Sequence, residues 1–475
     1  MGDRLDSKVL RTAGVLIVGV LAVVFDTTIV GVALHSLVAD LHSSVATIQW
    51  VTTAYLLALG ITVPLSTWAM ARFGGKRVWI FSLAVFLAGS LASSAAWNAP
   101  ALIAGRVVQG IGGGLMLPVM TTLVVRAAGG RLLGRTTAVV ALPALLGPIL
   151  GPLVGGLILT HLSWRWMFWV NVPFCVVGIW LAARYLDRDD PSGRPRLDVP
   201  GLTLLAPGLA ATIFGLSEAA TKGFAEPGTL TPLIVGVGLL AGFAAYALRR
   251  TDPLVDVRLF ARRPTVSAST VLFFSGFALY GAVLLLPLLY QQVRGTTALD
   301  AGLALVPQGI GALLSRSLAG SLTDRLGARP IAVAGFLVVG AATVPFAYAD
   351  AHTGTWTLAA WLLLRGIGLG AVTVPVMAVA YLGLDREQIA HASVLIRVAQ
   401  QIGGSFGTAV LAVILAHVMA AGDPVGAFHQ SFWWATGFAG VAALLALLLP
   451  GRAAVQQPAP APAEPAPPTP AHEAR

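Results

Sequence analysis

Two charged residues inside apolar stretches are the strongest candidates for chemistry in this sequence. Asp26 lies in the run VLAVVFDTTIVGVALHSL, and Arg106 lies in the run ALIAGRVVQGIGGGLMLP. A charge at that depth costs about 2.5–3.5 kcal/mol on insertion scales, so it normally faces a partner or a watery cavity. Desolvation favours the neutral form of a carboxyl group, whereas a nearby cation favours the ionised form. We therefore predict that Asp26 binds and releases a proton and that Arg106 is its electrostatic partner.

Each of these residues also has a plainer interpretation. Asp26 is only a structural anion if a cation holds it permanently. Arg106 lies a few residues after Pro100, and an arginine near a helix end can extend to the membrane interface. Both alternatives stay open on the sequence alone.

The composition defines the class of protein that must position these charges. The chain has 475 residues, of which 57% are hydrophobic and 11% are charged, with a mean hydropathy of +0.83. This balance excludes a soluble domain and indicates an all-α polytopic membrane protein. The net charge of +10 comes from basic residues scattered in short loops, so we predict no nucleic-acid partner.

The sequence contains no catalytic signature. Gly110–Gly114 follows an apolar helix and lacks the Lys-Ser/Thr ending of a phosphate-binding loop. The single cysteine, Cys175, excludes an internal disulfide framework, and no metal cluster or nucleophile with its base is visible. We predict that the chain is not an enzyme and needs no cofactor or metal. Its predicted partners are a small-molecule substrate and the lipid bilayer that surrounds it.

Fourteen apolar runs have the length of a membrane span. Basic residues concentrate in one set of loops together with the N-terminus, so the positive-inside rule places both termini in the cytoplasm and the protein in the cell membrane. The predicted spans are residues 13–34, 45–69, 77–97, 100–122, 136–160, 166–186, 200–217, 229–248, 266–292, 300–321, 330–349, 355–380, 390–418 and 429–449.

Two pairs of motifs indicate an internal duplication. The basic turn after the second span and the glycine run of the fourth span each recur once, at nearly the same offset. The recurring residues are Arg72, Gly74 and Lys76 with Gly320, Asp324, Arg325 and Gly327, and GIGGG at Gly110–Gly114 with GIGLG at Gly366–Gly370. The duplication predicts an N-terminal six-helix bundle (1–190), an inserted two-helix hairpin with its flanking loops (191–260), a C-terminal six-helix bundle (261–450) and a disordered Pro/Ala-rich tail (451–475).

A glycine stripe in the fifth span predicts a mobile helix contact. Gly147, Gly151 and Gly155 are spaced so that they share one helical face, on which a neighbouring helix can approach closely. The adjacent prolines favour a bend because each removes a backbone donor. Static tight packing is the alternative. The complete motif contains Gly147, Pro148, Gly151, Pro152, Gly155 and Gly156.

Polar and aromatic residues elsewhere are candidates for a substrate cavity. Arg397 and Gln400 are spaced to share one face of a helix, and aromatic rings could contact a flat lipophilic cation. Interfacial or packing roles are the alternative for each. The candidate cavity residues are Trp50, Tyr55, Gln109, Tyr280, Arg397 and Gln400.

With these motifs in place, the chain resembles the major facilitator superfamily, in particular its fourteen-span drug:proton antiporter branch. The segment FDTTIVGVALH is similar to that branch's LDxTIVNVALP signature, with Gly31 for the usual Asn and His35 for the usual Pro. The run from Arg106 to Gly114 matches the span-4 motif of the family, and GPILGPLVGG is similar to the motif found in its exporters.

The resemblance implies a major facilitator fold of two six-helix bundles plus the inserted hairpin, acting as a monomer. It implies proton-coupled export of hydrophobic compounds, cationic drugs included, by alternating access, with Arg106 involved in proton coupling. Export of an endogenous lipid, siderophore or secondary metabolite is the alternative within this class. A membrane sensor or scaffold derived from a transporter is the alternative from another class.

One departure from the family pattern concerns the turn after the second span. The family has an acid where this chain has Ala71, and that acid helps to hold one conformation. Asp324 and Arg325 of the second copy are retained. We call the contact that holds one conformation the latch, and we expect it to depend mainly on the second copy. We also expect Gly151→Val to slow transport and Gly236→Val, in the inserted hairpin, to do little.

Overall fold

The computed structural model describes residues 7–43, 45–128, 151, 154–159, 161–187 and 196–451. At a few positions within these ranges, including His35, Arg316 and Asp324, the backbone alone is described. All regular structure in the described residues is helical. The first half contains α1 (Ser7–Ile29), α2 (Leu34–Asp40), α3 (Val45–Thr62), α4 (Leu65–Phe73), α5 (Gly75–Ser94), α6 (Ala99–Ala127), α7 (Trp166–Trp169) and α8 (Asn171–Tyr185).

A hairpin and a second set of helices follow. The hairpin is α9 (Val199–Lys222) and α10 (Pro227–Ala247), connected through Gly223 at a positive φ of 83°. The second half contains α11 (Arg263–Leu288), α12 (Ala298–Ala304), α13 (Val306–Leu326), α14 (Ala328–Thr343), α15 (Thr355–Ala380), α16 (Arg386–Ala420) and α17 (Pro424–Ala446). Helix α9 packs against α3 of the first half and α16 of the second. The hairpin therefore lies beside the junction of the two halves.

The number of membrane spans predicted from the sequence is higher than the number of candidate spans among the described helices. Ten helices in the described residues are long and apolar enough to cross a membrane, or eleven with the pair α3–α4, which is bent by 54°. Helices α13 and α17 have 21 and 23 residues, but polar residues such as Gln308 and His429 make them less apolar. Most of the predicted span 136–160 lies outside the described residues. The multi-pass helical architecture is confirmed, and the count of fourteen stays a prediction.

The duplicated turn has the same backbone in both halves. Gly74 separates α4 from α5 with φ 82° and ψ 150°, and Gly327 separates α13 from α14 with φ 86° and ψ 168°. That region of φ and ψ is open almost only to glycine. Each glycine N–H donates to the carbonyl four residues earlier, Met70 O and Thr323 O, at 2.9 Å. Glycine is therefore a structural requirement at this position of each copy.

The duplicated glycine runs make equivalent helix contacts. A Cβ on Gly110 or Gly114 would lie 2.5 Å from Tyr55 O or 2.4 Å from Leu59 O of α3, and one on Gly112 would lie 2.5 Å from Phe86 N of α5. Because these are backbone atoms, α6 fits between α3 and α5 only without side chains at these positions.

In the second half, α15 fits between α13 and α14 in the same way. A Cβ on Gly366 or Gly370 would meet the carbonyls of Gln308 or Ala312, and one on Gly368 would lie 2.7 Å from Gly335 O. The duplication therefore extends from the motifs to the packing, while the domain boundaries themselves stay a prediction.

The two halves contact each other at one end of the bundle. The largest buried cluster joins both halves and the hairpin through residues such as Met120, Leu209 and Val394, near the duplicated turns. At the opposite end, each half has its own buried cluster, around Trp164 in the first half and Phe428 in the second. The described conformation is thus closed at the end that carries the duplicated turns.

The structure contradicts the basis of the expectation that Gly236→Val does little, because the position is not open. Gly236 of α10 packs against α9, where an added Cβ would lie 2.5 Å from Thr212 Oγ1, 2.6 Å from Thr212 N and 3.0 Å from Gly208 O. The spacing of glycines in the hairpin gave no sign of this contact, because it depends on the register between two helices.

We expect Gly236→Val to destabilise the hairpin while Gly238→Val leaves it intact. Gly238 lies on the same helix, and apart from the nearby backbone of that helix no atom lies within 4 Å of the position of an added Cβ. Overpacking of this kind typically costs about 1–3 kcal/mol. Thermal unfolding of the two purified variants measures the difference, and equal melting temperatures would show that α9 and α10 separate without cost.

Candidate functional site

The structure brings Asp26 of α1 and Arg106 of α6 into a buried ion pair. Arg106 Nη1 donates to Asp26 Oδ2 at 2.5 Å, and the side chains are 1% and 0% exposed. The same nitrogen donates to Gln109 Oε1 at 2.7 Å, and Arg106 Nε donates to Val51 O at 3.1 Å. Arg106 therefore turns inward and does not extend to an interface.

Three neutral side chains complete the surroundings of the carboxylate. Gln109 Nε2 and Asn171 Nδ2 donate to Asp26 Oδ1 at 2.8 and 3.1 Å. Both amides also donate to Ser90 Oγ, at 3.2 and 3.1 Å, and Ser90 donates to Phe168 O at 2.8 Å. Because every one of these groups is buried, a fixed set of hydrogen-bond donors takes the place of water around the carboxylate.

Tyr55 and Gln109, predicted for the substrate cavity, instead belong to this cluster. The Tyr55 ring lies 4.0 Å from the Arg106 guanidinium carbon, a cation–π distance. Tyr55 is fully buried. Ser90 and Asn171 were not predicted as site residues. The only signal for Asn171 was its place in WRWMFWVNVP, which is similar to a family signature.

A cavity of about 320 Å³ lies between the halves and the hairpin. Its volume is at the lower end of the range of small-molecule sites. Val23, Val24 and Thr27 of α1 form part of its wall, so the cavity and Asp26 share one helix. Of the predicted cavity residues, the wall includes Tyr280, Arg397 and Gln400.

Trp50 is not part of the cavity wall. Its ring stacks on Phe214 of α9 at 5.7 Å between centroids, and 42% of the side chain is exposed. An exposed tryptophan beside a second aromatic ring is typical of a membrane-facing contact.

The second half contains an arginine cluster without an acid. Arg365 is buried, and it donates to Gln308 Oε1 at 2.8 Å, to Ala278 O at 2.7 Å and to Thr343 Oγ1 at 3.2 Å. By the internal alignment Arg365 corresponds to Gln109 of the first half. Among residues with described side chains, Asp26 is the one buried carboxylate. Among the described side chains, a buried carboxylate paired with an arginine therefore occurs only in the first half.

The fifth-span stripe is only partly described. Gly147, Pro148 and Pro152 lie outside the described residues, whereas Gly151, Gly155 and Gly156 lie within them. A Cβ on Gly155 would lie 3.0 Å from Ile29 Cγ1 and 3.2 Å from Met167 Cε. The contact with the end of α1 is therefore close, and its movement stays a prediction.

The basic turn of the first half holds the end of a neighbouring helix. Lys76 Nζ donates to Ala183 O and Leu186 O of the α8 end at 2.8 and 2.7 Å, and Arg72 lies in the last turn of α4. Ala71 lines a second cavity of about 290 Å³ together with Arg126 and Asp385. Gly320, Asp324 and Arg325 lie in the last two turns of α13, but the Asp324 side chain lies outside the described set. The latch stays a prediction.

Comparison with known proteins agrees with this architecture. The sequence profile of the Major Facilitator Superfamily matches residues 16–408 and, in a second match, 309–474. The "Multidrug resistance protein B homolog" of Mycobacterium tuberculosis is 40% identical over 419 residues, which cover 87% of this chain and 78% of the relative. The "Lincomycin resistance protein LmrB" of Bacillus subtilis is 30% identical over 399 residues, which cover 82% of each.

Solved structures show the same fold at low sequence identity. The proton:xylose symporter XylE aligns with a TM-score of 0.64 and 16% identity over 93% of this chain and 95% of its own. The human organic anion transporter MFSD10 aligns with a TM-score of 0.64 and 17% identity over 92% of this chain and 99% of its own. On these matches and on the duplicated helical bundle described above, the chain belongs to the major facilitator superfamily.

Proposed function

We propose that the chain is a proton-coupled antiporter that exports hydrophobic compounds from the cell by alternating access. The observation that carries the proposal is the buried Asp26–Arg106 pair on a helix that also forms the cavity wall. The resistance proteins named above support drug-like substrates. We propose fourteen spans, a monomer and cytoplasmic termini, so that the closed end of the bundle faces the cytoplasm.

The cluster offers a route for proton binding. A proton that reaches Asp26 neutralises the carboxylate and removes the ion pair that fastens α1 to α6. Arg106 then keeps Val51 O, Gln109 Oε1 and the Tyr55 ring as partners. Asn171 Oδ1 has no hydrogen-bond partner among the described residues, so a rotation of that amide would supply an acceptor for the new carboxyl hydrogen.

The loosening of α1 couples proton binding to substrate binding. Because Val23, Val24 and Thr27 of this helix line the cavity, its movement changes the shape of the cavity. A two-state protein whose states differ by a few kcal/mol can be shifted by such a change. Proton entry from outside then favours return of the empty transporter, and proton release inside restores the pair and the cavity shape that binds substrate more tightly.

Proton-driven flux in liposomes tests the proposal. The purified chain is reconstituted into liposomes with an acidic lumen, and uptake of lincomycin and of a lipophilic dye is followed. We expect uptake that depends on the protein and is abolished by a protonophore, with protein-free liposomes as the control. If the uptake of every compound is the same with and without the pH gradient, proton coupling is contradicted.

A further inference from the structure

Arg397 is a cation in the cavity wall that lacks a carboxylate partner among the described side chains. It lies on α16, and its one described hydrogen bond runs from Nη1 to Gln400 Oε1 of the same helix, at 3.3 Å. Its Nε atom is buried and has no hydrogen-bond partner among the described residues. The residue as a whole is partly buried, and a guanidinium withdrawn from water in part gains from a negative partner that compensates its charge. Arg397 therefore has hydrogen-bonding capacity left for a ligand in the cavity.

Arg106 and Arg365, the buried arginines among the described side chains, already have partners. Arg106 is neutralised by Asp26. Arg365 is held by three neutral acceptors and is not part of the cavity wall. The residues that line the cavity include no Asp or Glu, so Arg397 gives the described wall a net positive charge.

The remaining wall separates into a polar and an apolar side. Gln400, Gln401, Gly404, Ser405 and Thr408 of α16 line the cavity beside Arg397, at spacings that place them along one helical face. The opposite wall is largely aliphatic and comes from α1, α3, α6 and α9; it includes Val23, Val24, Leu56, Leu59, Leu117, Ile213 and Leu216. A ligand that matches both sides has an apolar body and one anionic group.

We infer that the cavity binds hydrophobic anions, compounds with an apolar body and a carboxylate, sulfonate or phosphate group, and that Arg397 binds the anionic group. This inference rests on the proposed transport function and narrows its substrate class. It replaces the lipophilic cation suggested by the aromatic residues, because a fixed positive charge in a cavity of low dielectric repels a cation.

The inference also constrains how the proton is coupled to export. Protonation of Asp26 adds positive charge to the protein, so it does not expel an anion by charge repulsion. The coupling must act through the position of α1, which forms part of the cavity wall. Because the proposed cycle favours substrate binding only after the proton has left, binding of an anion to the detergent-purified protein should weaken as the pH falls, through the position of α1 and not through charge.

Equilibrium binding of three probes of the same shape tests the inference. The probes are naphthalene-2-sulfonate, naphthalene-2-sulfonamide and the 2-naphthyltrimethylammonium ion, titrated into the purified full-length chain by calorimetry. We expect the sulfonate to bind about tenfold or more tightly than the other two, since a charge-assisted hydrogen bond supplies that preference. Arg397→Gln should remove the preference, and Arg397→Lys should retain most of it.

Each result decides the question. Equal binding of the three probes to the parent protein, tighter binding of the ammonium ion, no detectable sulfonate binding, or a sulfonate preference that survives in Arg397→Gln would overturn the inference. The comparison of probes on the parent protein stands even if a variant does not fold. Binding is measured without a gradient. If the parent protein prefers the sulfonate but shows no proton-driven flux, the proposed antiport is overturned and the anion site is retained.

Discussion

Asp26→Asn is expected to reduce proton-driven export to the level of protein-free liposomes. The amide keeps the shape of the carboxylate and can still accept hydrogen bonds from Gln109 and Asn171, but it cannot exchange a proton. Arg106 keeps its bonds to Val51 O and Gln109 Oε1, so we expect the variant to insert and fold. The measurement is uptake into liposomes with an acidic lumen.

Exchange without a gradient separates coupling from folding. With labelled substrate on one side and unlabelled substrate on the other, both at saturating concentration, Asp26→Asn should still exchange the two, because exchange needs the cavity but no proton step. Asp423→Asn is the matched control, since Asp423 caps α17 through Gly426 N at 2.8 Å and Asn is an equally good cap. Unchanged proton-driven export in Asp26→Asn would show that the ion pair is structural.

Gly366→Ala is expected to prevent normal folding of the second half. The added methyl carbon would lie 1.8 Å from Gln308 O, 2.7 Å from Gln308 C and 2.9 Å from Ala312 N. These are backbone atoms of α13, so no side-chain rotation relieves the clash and the two helices must separate. Separation would also stretch the bond from Arg365 to Gln308. Overpacking usually costs about 1–3 kcal/mol and occasionally more, and we expect a value at or above the top of that range.

Gly437→Ala provides the control for this clash. Gly437 lies in α17, and apart from the nearby backbone of that helix no atom lies within 4 Å of the position of its added Cβ. Alanine is a better helix former than glycine by about 1 kcal/mol, so the control should be neutral or stabilising. The measurements are the yield of monodisperse protein and its melting temperature. Similar values for the two variants would mean that α13 and α15 are not in close contact.

The sequence was most informative where charge and hydrophobicity conflict. Asp26 and Arg106 could be identified because an ion in an apolar run needs a reason to be there. Ser90 and Asn171 could not, because neutral polar residues are ordinary in membrane helices and their contact depends on how α5 and α8 are rotated about their axes. The same limit explains why Tyr55 and Trp50 were assigned to the cavity, since residue type alone does not reveal which face of a helix meets a neighbour.

Backbone requirements were also visible in the sequence. Gly74 and Gly327 occupy repeated positions whose positive φ only glycine adopts readily, and their recurrence was enough to align the halves. The opposite case is Gly236, which belongs to no motif yet lies against Thr212 as closely as the motif glycines lie against their own partners.

The acid-free surroundings of Arg365 have a consequence for energy conversion. With Asp26 as the one buried carboxylate among the described side chains, the proposed route carries one proton in each cycle. A single charge moved through 100 mV releases about 2.3 kcal/mol. At roughly 1.4 kcal/mol for each tenfold concentration ratio, that driving force sustains a gradient of about fortyfold for an uncharged substrate. A second buried acid, beside Arg365 in the second half, would double the free energy available per cycle and square the concentration ratio. Each exported molecule would then require one more proton.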